Sequence, residues 1–156
     1  MQHSPYIREL DRTEVDAILK RNSVGRLAFA SRSLVDIEPV NYVYQDGWVY
    51  GRTSAGTKIS AVATNWWVAF EVDESDALFQ WRSVVAHGGF YRLYDGGREI
   101  DRERYRTAIA ALRTLVPATL QDEDPVPYRT IIFGILLQET RGKECALKSA
   151  QQEIPV

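Results

Sequence analysis

The sequence predicts a mainly β domain (α+β by count of elements), built as a six-stranded antiparallel barrel with flanking helices. Three observations predict it. Apolar and polar residues alternate at period two over most of the chain, and only three stretches switch to helical spacing. Turn chemistry such as Asp46-Gly47 joins neighbouring strands as hairpins. At 156 residues the chain has the length of one domain, and closing a small sheet removes the edges it would otherwise expose. Residues 1–156 are therefore read as a single domain.

The elements follow in order. Thr13-Glu14-Val15-Asp16 reads as a capping box with Thr13 as the N-cap, and Val15, Ile18 and Leu19 line one face of the helix it opens. From Gly25 the period drops to two, with Leu27 and Phe29 on the buried face of a first strand. Val35 and Ile37 alternate with Asp36 and Glu38 in a long second strand running to Tyr44, where Pro39 predicts a bulge or an edge position. Trp48-Val49-Tyr50 starts the third strand as its hairpin partner. A short helix runs from Thr57 to Asn65, carried by Ile59, Val62 and Ala63. Trp66 to Val72 is the fourth strand, and Trp81 to Tyr94 the fifth, with Gly88-Gly89 at a bulge. A third helix follows Asp101, striped by Tyr105, Ile109, Leu112 and Val116, and Pro117 ends it. An acidic, proline-rich loop leads to a last strand from Arg129 to Glu139.

Composition excludes several function classes. A net charge of -2 argues against a nucleic-acid partner, which needs a basic surface. The single cysteine, Cys145, with two histidines cannot build a disulfide framework or a metal cage, so no metal site is expected. The chain carries no apolar run of the roughly 20 residues that a membrane helix requires. Met1 to Tyr6 lacks the pattern of a signal peptide, which predicts a cytoplasmic location. His87 has no neighbours in triad spacing and reads as a strand residue, and Cys145 as an inert thiol.

The stretch Tyr50-Gly51-Arg52-Thr53-Ser54-Ala55-Gly56-Thr57-Lys58 is where chemistry is expected. A helix N-terminus offers unpaired N–H groups and the positive end of a dipole. Arg52 and Lys58 add charge there, and Thr53 and Thr57 add hydroxyls, a set suited to a terminal phosphate. The alternative is a solvated loop whose cations serve solubility. Pro39-Val40-Asn41 forms a second candidate, because Pro39 withdraws a ladder donor. Trp81-Arg82-Ser83 is a third, to be weighed against a plain edge strand. Asp73, Glu74 and Asp76 read as a turn after the fourth strand.

Taken in order, Val24-Gly25-Arg26-Leu27-Ala28-Phe29, Pro39-Val40-Asn41-Tyr42, Tyr50 to Lys58, Val68 to Asp73 and Trp81 to Gly88 resemble the pyridoxamine 5′-phosphate oxidase-like flavin split-barrel superfamily. Within it the chain is most similar to the small FMN-binding, nitroimidazole-resistance-like branch. The resemblance spans Thr13 to Gly142 and implies a six-stranded split barrel that dimerises and holds FMN at the dimer interface. It implies that Arg52, Thr53, Thr57 and Lys58 hold the phosphate and that Pro39, Val40 and Asn41 line the flavin ring. The resemblance also implies that Arg82 and Ser83 approach the ring from the partner subunit. The implied function is an FMN-dependent oxidoreductase acting on a small molecule. The same barrel also serves a deazaflavin or tetrapyrrole-like ligand, or a non-catalytic flavin-binding module. Members of that branch often carry His where this chain has Arg52, and the arginine-rich substrate motif of the true oxidases is not recognisable. Vitamin B6 oxidation is therefore not implied, and no catalytic acid or base is named.

Overall fold

In the computed structural model, residues 4–148 are described; the start of the segment tested for a signal peptide, residues 1–3, lies outside them. They form eight strands and three helices, in place of the six strands expected. The order is β1 (Ser4–Leu10), α1 (Arg12–Arg21), β2 (Val24–Ser31), β3 (Leu34–Asn41), β4 (Val43–Gln45), β5 (Trp48–Thr53), α2 (Thr57–Thr64), β6 (Trp67–Ala77), β7 (Gln80–Leu93), α3 (Glu99–Leu115) and β8 (Ile131–Lys148). Two differences account for the count. β1 was not legible, and the long second strand divides at Tyr42 into β3 and β4.

All the pairings are antiparallel, in the order β3-β2-β6-β7-β8-β5-β4, with β1 beside the far half of β8. The two ends of this path, β3 and β4, are consecutive in the chain and joined through Tyr42, so the sheet must curl back on itself. Tyr42 locks that junction. Its side chain is fully buried, its hydroxyl donates to the Leu19 carbonyl at 2.7 Å, and its ring meets Phe70 edge-on at 5.0 Å. Burial holds the Tyr42 hydroxyl well above the ordinary phenol range, so it stays a donor.

The barrel interior is filled by Leu27, Phe29, Val49, Val68, Phe70, Val72, Val84 and Phe133, with Ile18 and Leu19 of α1 and Val62 of α2 against it. Tyr50 and Ile132 instead face α3, which packs through Ala108, Ile109, Ala111 and Leu112. The cap of α1 is Asp11, not Thr13: Asp11 accepts from the Glu14 N–H, and Glu14 reaches back to the Asp11 N–H.

Pro39 lies on the edge strand β3 opposite Arg26 in an unbroken register, so the edge expectation holds and the bulge does not. The Gly88 bulge is present, as a register shift against β8 between His87 and Gly88. β6 continues past Val72 to Ala77, so Asp73, Glu74 and Asp76 are strand residues and not a turn. Val35 and Ile37 point away from the core; they are 79% and 57% exposed.

Candidate functional site

β5 ends at Arg52-Thr53, a bend follows, and α2 begins at Thr57. Ala61 and Val62 turn one face of α2 into the barrel, which fixes its start beside the end of β5. The N-cap is Gly56, which has no side chain to accept from the first turn, and no side-chain cap bond is made. The first-turn N–H groups are thus open to an external acceptor. Thr57 is exposed and Thr53 half-buried beside them.

Lys58 turns inward. Its side chain is buried, and its ammonium donates to Glu38 Oε2 at 2.9 Å. Glu38 immediately precedes Pro39 on β3, so this ion pair brings the strand stretch and the helix start together. Val40 is buried while Pro39 and Asn41 are exposed. Among the described residues, β3 is hydrogen-bonded to a strand on one side only, by β2, leaving its other edge open. Asn41 and Arg52 share a small cavity of about 50 Å³ with Leu112, Val126 and Arg129.

Arg52 is held by the loop after α3. Its Nη1 and Nη2 donate to the two oxygens of Asp124 at 3.0 and 2.7 Å, and Nε donates to the Arg129 carbonyl at 2.8 Å. Asp124 also accepts from the N–H groups of Leu120 and Val126. The Arg52 hydrogen bonds, with these backbone donors, hold the Asp124 carboxyl far below the usual range. Asp124 gave no signal in the sequence beyond membership of an acidic loop.

Arg82 and Ser83 are not brought to this place within one chain. Arg82 pairs with Glu144, and Arg52 with Ile132, at opposite ends of β8, roughly 40 Å apart along the strand at about 3.3 Å per residue. Arg82 donates to Glu144, which also accepts from Arg8 at 2.9 Å. Burial pushes Glu144 up, but the donors Arg82 and Arg8 outweigh it and leave the carboxyl lowered. Glu74, beside Arg82, takes bonds from Arg21 and Asn22; the Arg21 bond is the chief cause of its pKa of about 2. This network joins β1, α1, β6, β7 and β8 around two adjoining polar hollows. Among the described residues, no group of three or more His, Cys, Asp or Glu side chains is placed to hold a metal ion. No helix there is long and apolar enough to cross a membrane. Cys145 is buried.

The chain is similar to several known proteins. A FAD-binding protein from Mesorhizobium loti has the same fold, with a TM-score of 0.72 and 28% identity over 92% of this chain and 99% of that one. A candidate 5-nitroimidazole antibiotic resistance protein from Bacteroides thetaiotaomicron superposes with a TM-score of 0.71 at 14% identity, covering 94% and 92% of the two chains, a likeness of fold alone. An uncharacterised protein of Mycobacterium tuberculosis is 35% identical over 80 residues, 48% of this chain and 53% of that protein. The chain spans about half the length of the curated relatives it matches. The family described as pyridoxamine 5′-phosphate oxidase matches over residues 11–131. With most of its barrel inside that match and the split-barrel fold shared with these structures, the chain belongs to the pyridoxamine 5′-phosphate oxidase-like family.

Proposed function

We propose that this protein binds FMN at the start of α2 and uses it as an oxidoreductase acting on a small molecule. One observation carries the reading: the uncapped first turn of α2 opens beside the Thr53 and Thr57 hydroxyls and the buried Lys58 ammonium. These residues fit a phosphate. Lys58 would hold it as a point charge, exchanging part of its bond to Glu38, while the first-turn N–H groups donate along the helix axis. Pro39, Val40 and Asn41 would lie along the ring, where the free edge of β3 offers main-chain groups. A bound flavin supplies the electron transfer, and the protein binds it and orients it. Arg52 contributes at one remove, by pinning the loop that holds Asp124 against the end of β5.

Arg82 and Ser83 enter this reading only from a second copy of the chain, since they stand at the far end of β8 from the phosphate cluster. We therefore place the flavin between two subunits of a homodimer. FAD is the second reading, favoured by the likeness to a FAD-binding protein at 28% identity.

The experiment is a titration of the purified protein with FMN, FAD and a deazaflavin cofactor, followed by flavin fluorescence. FMN is expected to bind tightest, and Lys58→Ala to weaken it by about 1–3 kcal/mol, the range for losing a charged hydrogen bond. Tighter binding of FAD selects the second reading. Equal FMN affinity in wild type and variant removes Lys58 from the site. Turnover of the loaded protein with a reduced nicotinamide then separates an oxidoreductase from a flavin-binding module.

A further inference from the structure

We propose that the hollow between Trp48, Tyr91 and the start of α3 is a second ligand site, selective for a planar aromatic anion. The hollow measures about 610 Å³, within the range of roughly 300–1,000 Å³ typical of small-molecule pockets. It lies away from the start of α2. Trp48 begins β5, whereas Arg52 and Thr53 end it, and α3 runs about 25 Å at 1.5 Å per residue from this hollow towards the cavity shared by Asn41 and Arg52.

Its wall offers an aromatic face. Trp48 and Tyr91 pack against each other, 5.8 Å apart between ring centres and tilted by 52°, and with Leu93 and Ile100 they give an apolar lining on which a ring can lie. Its charges suit an anion. Three arginines, Arg92, Arg98 and Arg104, line it against one carboxylate, Asp101, in a chain whose net charge is -2. Arg98 takes up that carboxylate through bonds of 2.9 and 3.2 Å. Among the described residues, Arg92 and Arg104 form no ion pair. Arg104 is held ready: its guanidinium lies 4.4 Å above the Trp48 ring, and Nη1 donates to the Tyr50 hydroxyl at 2.9 Å. A guanidinium stacked on an indole keeps its remaining N–H groups in one plane, the arrangement that meets a carboxylate or phosphate edge-on.

The test titrates the full chain with 2-naphthoate, following tryptophan fluorescence, beside neutral 2-naphthamide and non-planar octanoate. Saturable naphthoate binding is expected, at least tenfold tighter than either comparison compound. Arg92→Gln and Arg104→Gln should each weaken it at least fivefold, while Lys58→Ala leaves it unchanged. Arg92 is on an exposed strand end, so its variant serves even where Arg104→Gln fails to fold. Naphthamide binding as tight as naphthoate would overturn the proposal, because the hollow would then be merely apolar. Wild-type affinity in the arginine variants would overturn it as well. Loss of binding in Lys58→Ala would move the signal to the start of α2.

Discussion

Arg52 and Asp124 form a closed, two-pronged ion pair: both carboxylate oxygens accept from separate guanidinium nitrogens, and the side chains are only 9% and 1% exposed. The pair fastens the loop after α3 to the end of β5, next to the connection that starts α2. Removing one partner leaves the other charged and sealed from water, which costs more than removing both. Breaking a buried pair costs about 3–5 kcal/mol, so at about 2–4 °C per kcal/mol for this chain length Arg52→Ala and Asp124→Ala should each lower Tm by roughly 6–20 °C. The double variant should lose clearly less than the sum, because the two side chains act as one unit. Thermal melts followed by circular dichroism give the three values, and strict additivity would dissolve the pair as a structural unit.

The Glu74 network predicts how the fold responds to acid. Its folded pKa, about 2, lies below the ordinary 4.5. Glu74 therefore stabilises the fold fully above that ordinary value, and the contribution is lost as pH falls from about 4.5 towards 2. Glu144 is lowered too and loses its contribution in the same direction. Urea midpoints measured between pH 7 and pH 2.5 should fall through this window, and Glu74→Gln should flatten the fall while lowering the midpoint at pH 7. A variant with the wild-type acid slope would show that Arg21 and Arg82 are equally content with water.

What the sequence made legible follows from how local each signal is. Leu27 and Phe29 were assigned to the buried face correctly, because alternation along one strand is enough to choose a face. The same alternation at Val35 and Ile37 points outward, since an edge strand can turn its apolar side from the core and nothing in the stretch itself says so. β1 was missed because Ser4 to Leu10 is exposed at most positions and is held by β8, whose partner residues lie at the other end of the chain. Thr13 and Asp11 each stand three residues before a carboxylate, and only the backbone entering α1 selects Asp11. At the candidate site, the strand-to-helix connection was visible as a motif. The partners that define its charges, Glu38 for Lys58 and Asp124 for Arg52, were not, because long-range ion pairs leave no spacing to read.

Gly88 should tolerate no side chain. It sits at the register shift between β7 and β8, and a Cβ there would collide with the main-chain carbonyl of Leu136, which cannot move without breaking the ladder. Gly88→Ala should destabilise by about 1–3 kcal/mol, the range for overpacking a tight interior. Gly96→Ala, where among the described residues nothing beyond the chain neighbours lies within 4 Å of the added carbon, serves as the control and should stay near neutral. Urea unfolding of both variants decides the matter; similar midpoints would mean that the two strands can part at the bulge without loss.

The flavin reading requires a second copy of the chain. The sheet face carrying Val35 and Ile37 continues through Ala30 and Ala28, their partners on β2, to Ala69 on β6. Side chains directly opposite in an antiparallel pair share a face, so these residues form one shallow apolar strip on the outside of the barrel. Val35 and Ile37 stand exposed at its rim, and small alanines let another sheet approach closely. We expect two copies to meet across this strip, giving a dimer at low micromolar concentration in sedimentation equilibrium. Ile37→Asp would bury an unpaired carboxylate in that contact and should weaken dimerisation at least tenfold, about 1.4 kcal/mol or more, while the Tm measured on the monomer at high dilution stays put. If the flavin lies between subunits, the same variant should lose FMN affinity in step with the dimer, and added protein should restore both together. A wild-type monomer at these concentrations would defeat the dimer, and an unaffected dimer in Ile37→Asp would move the contact to another face.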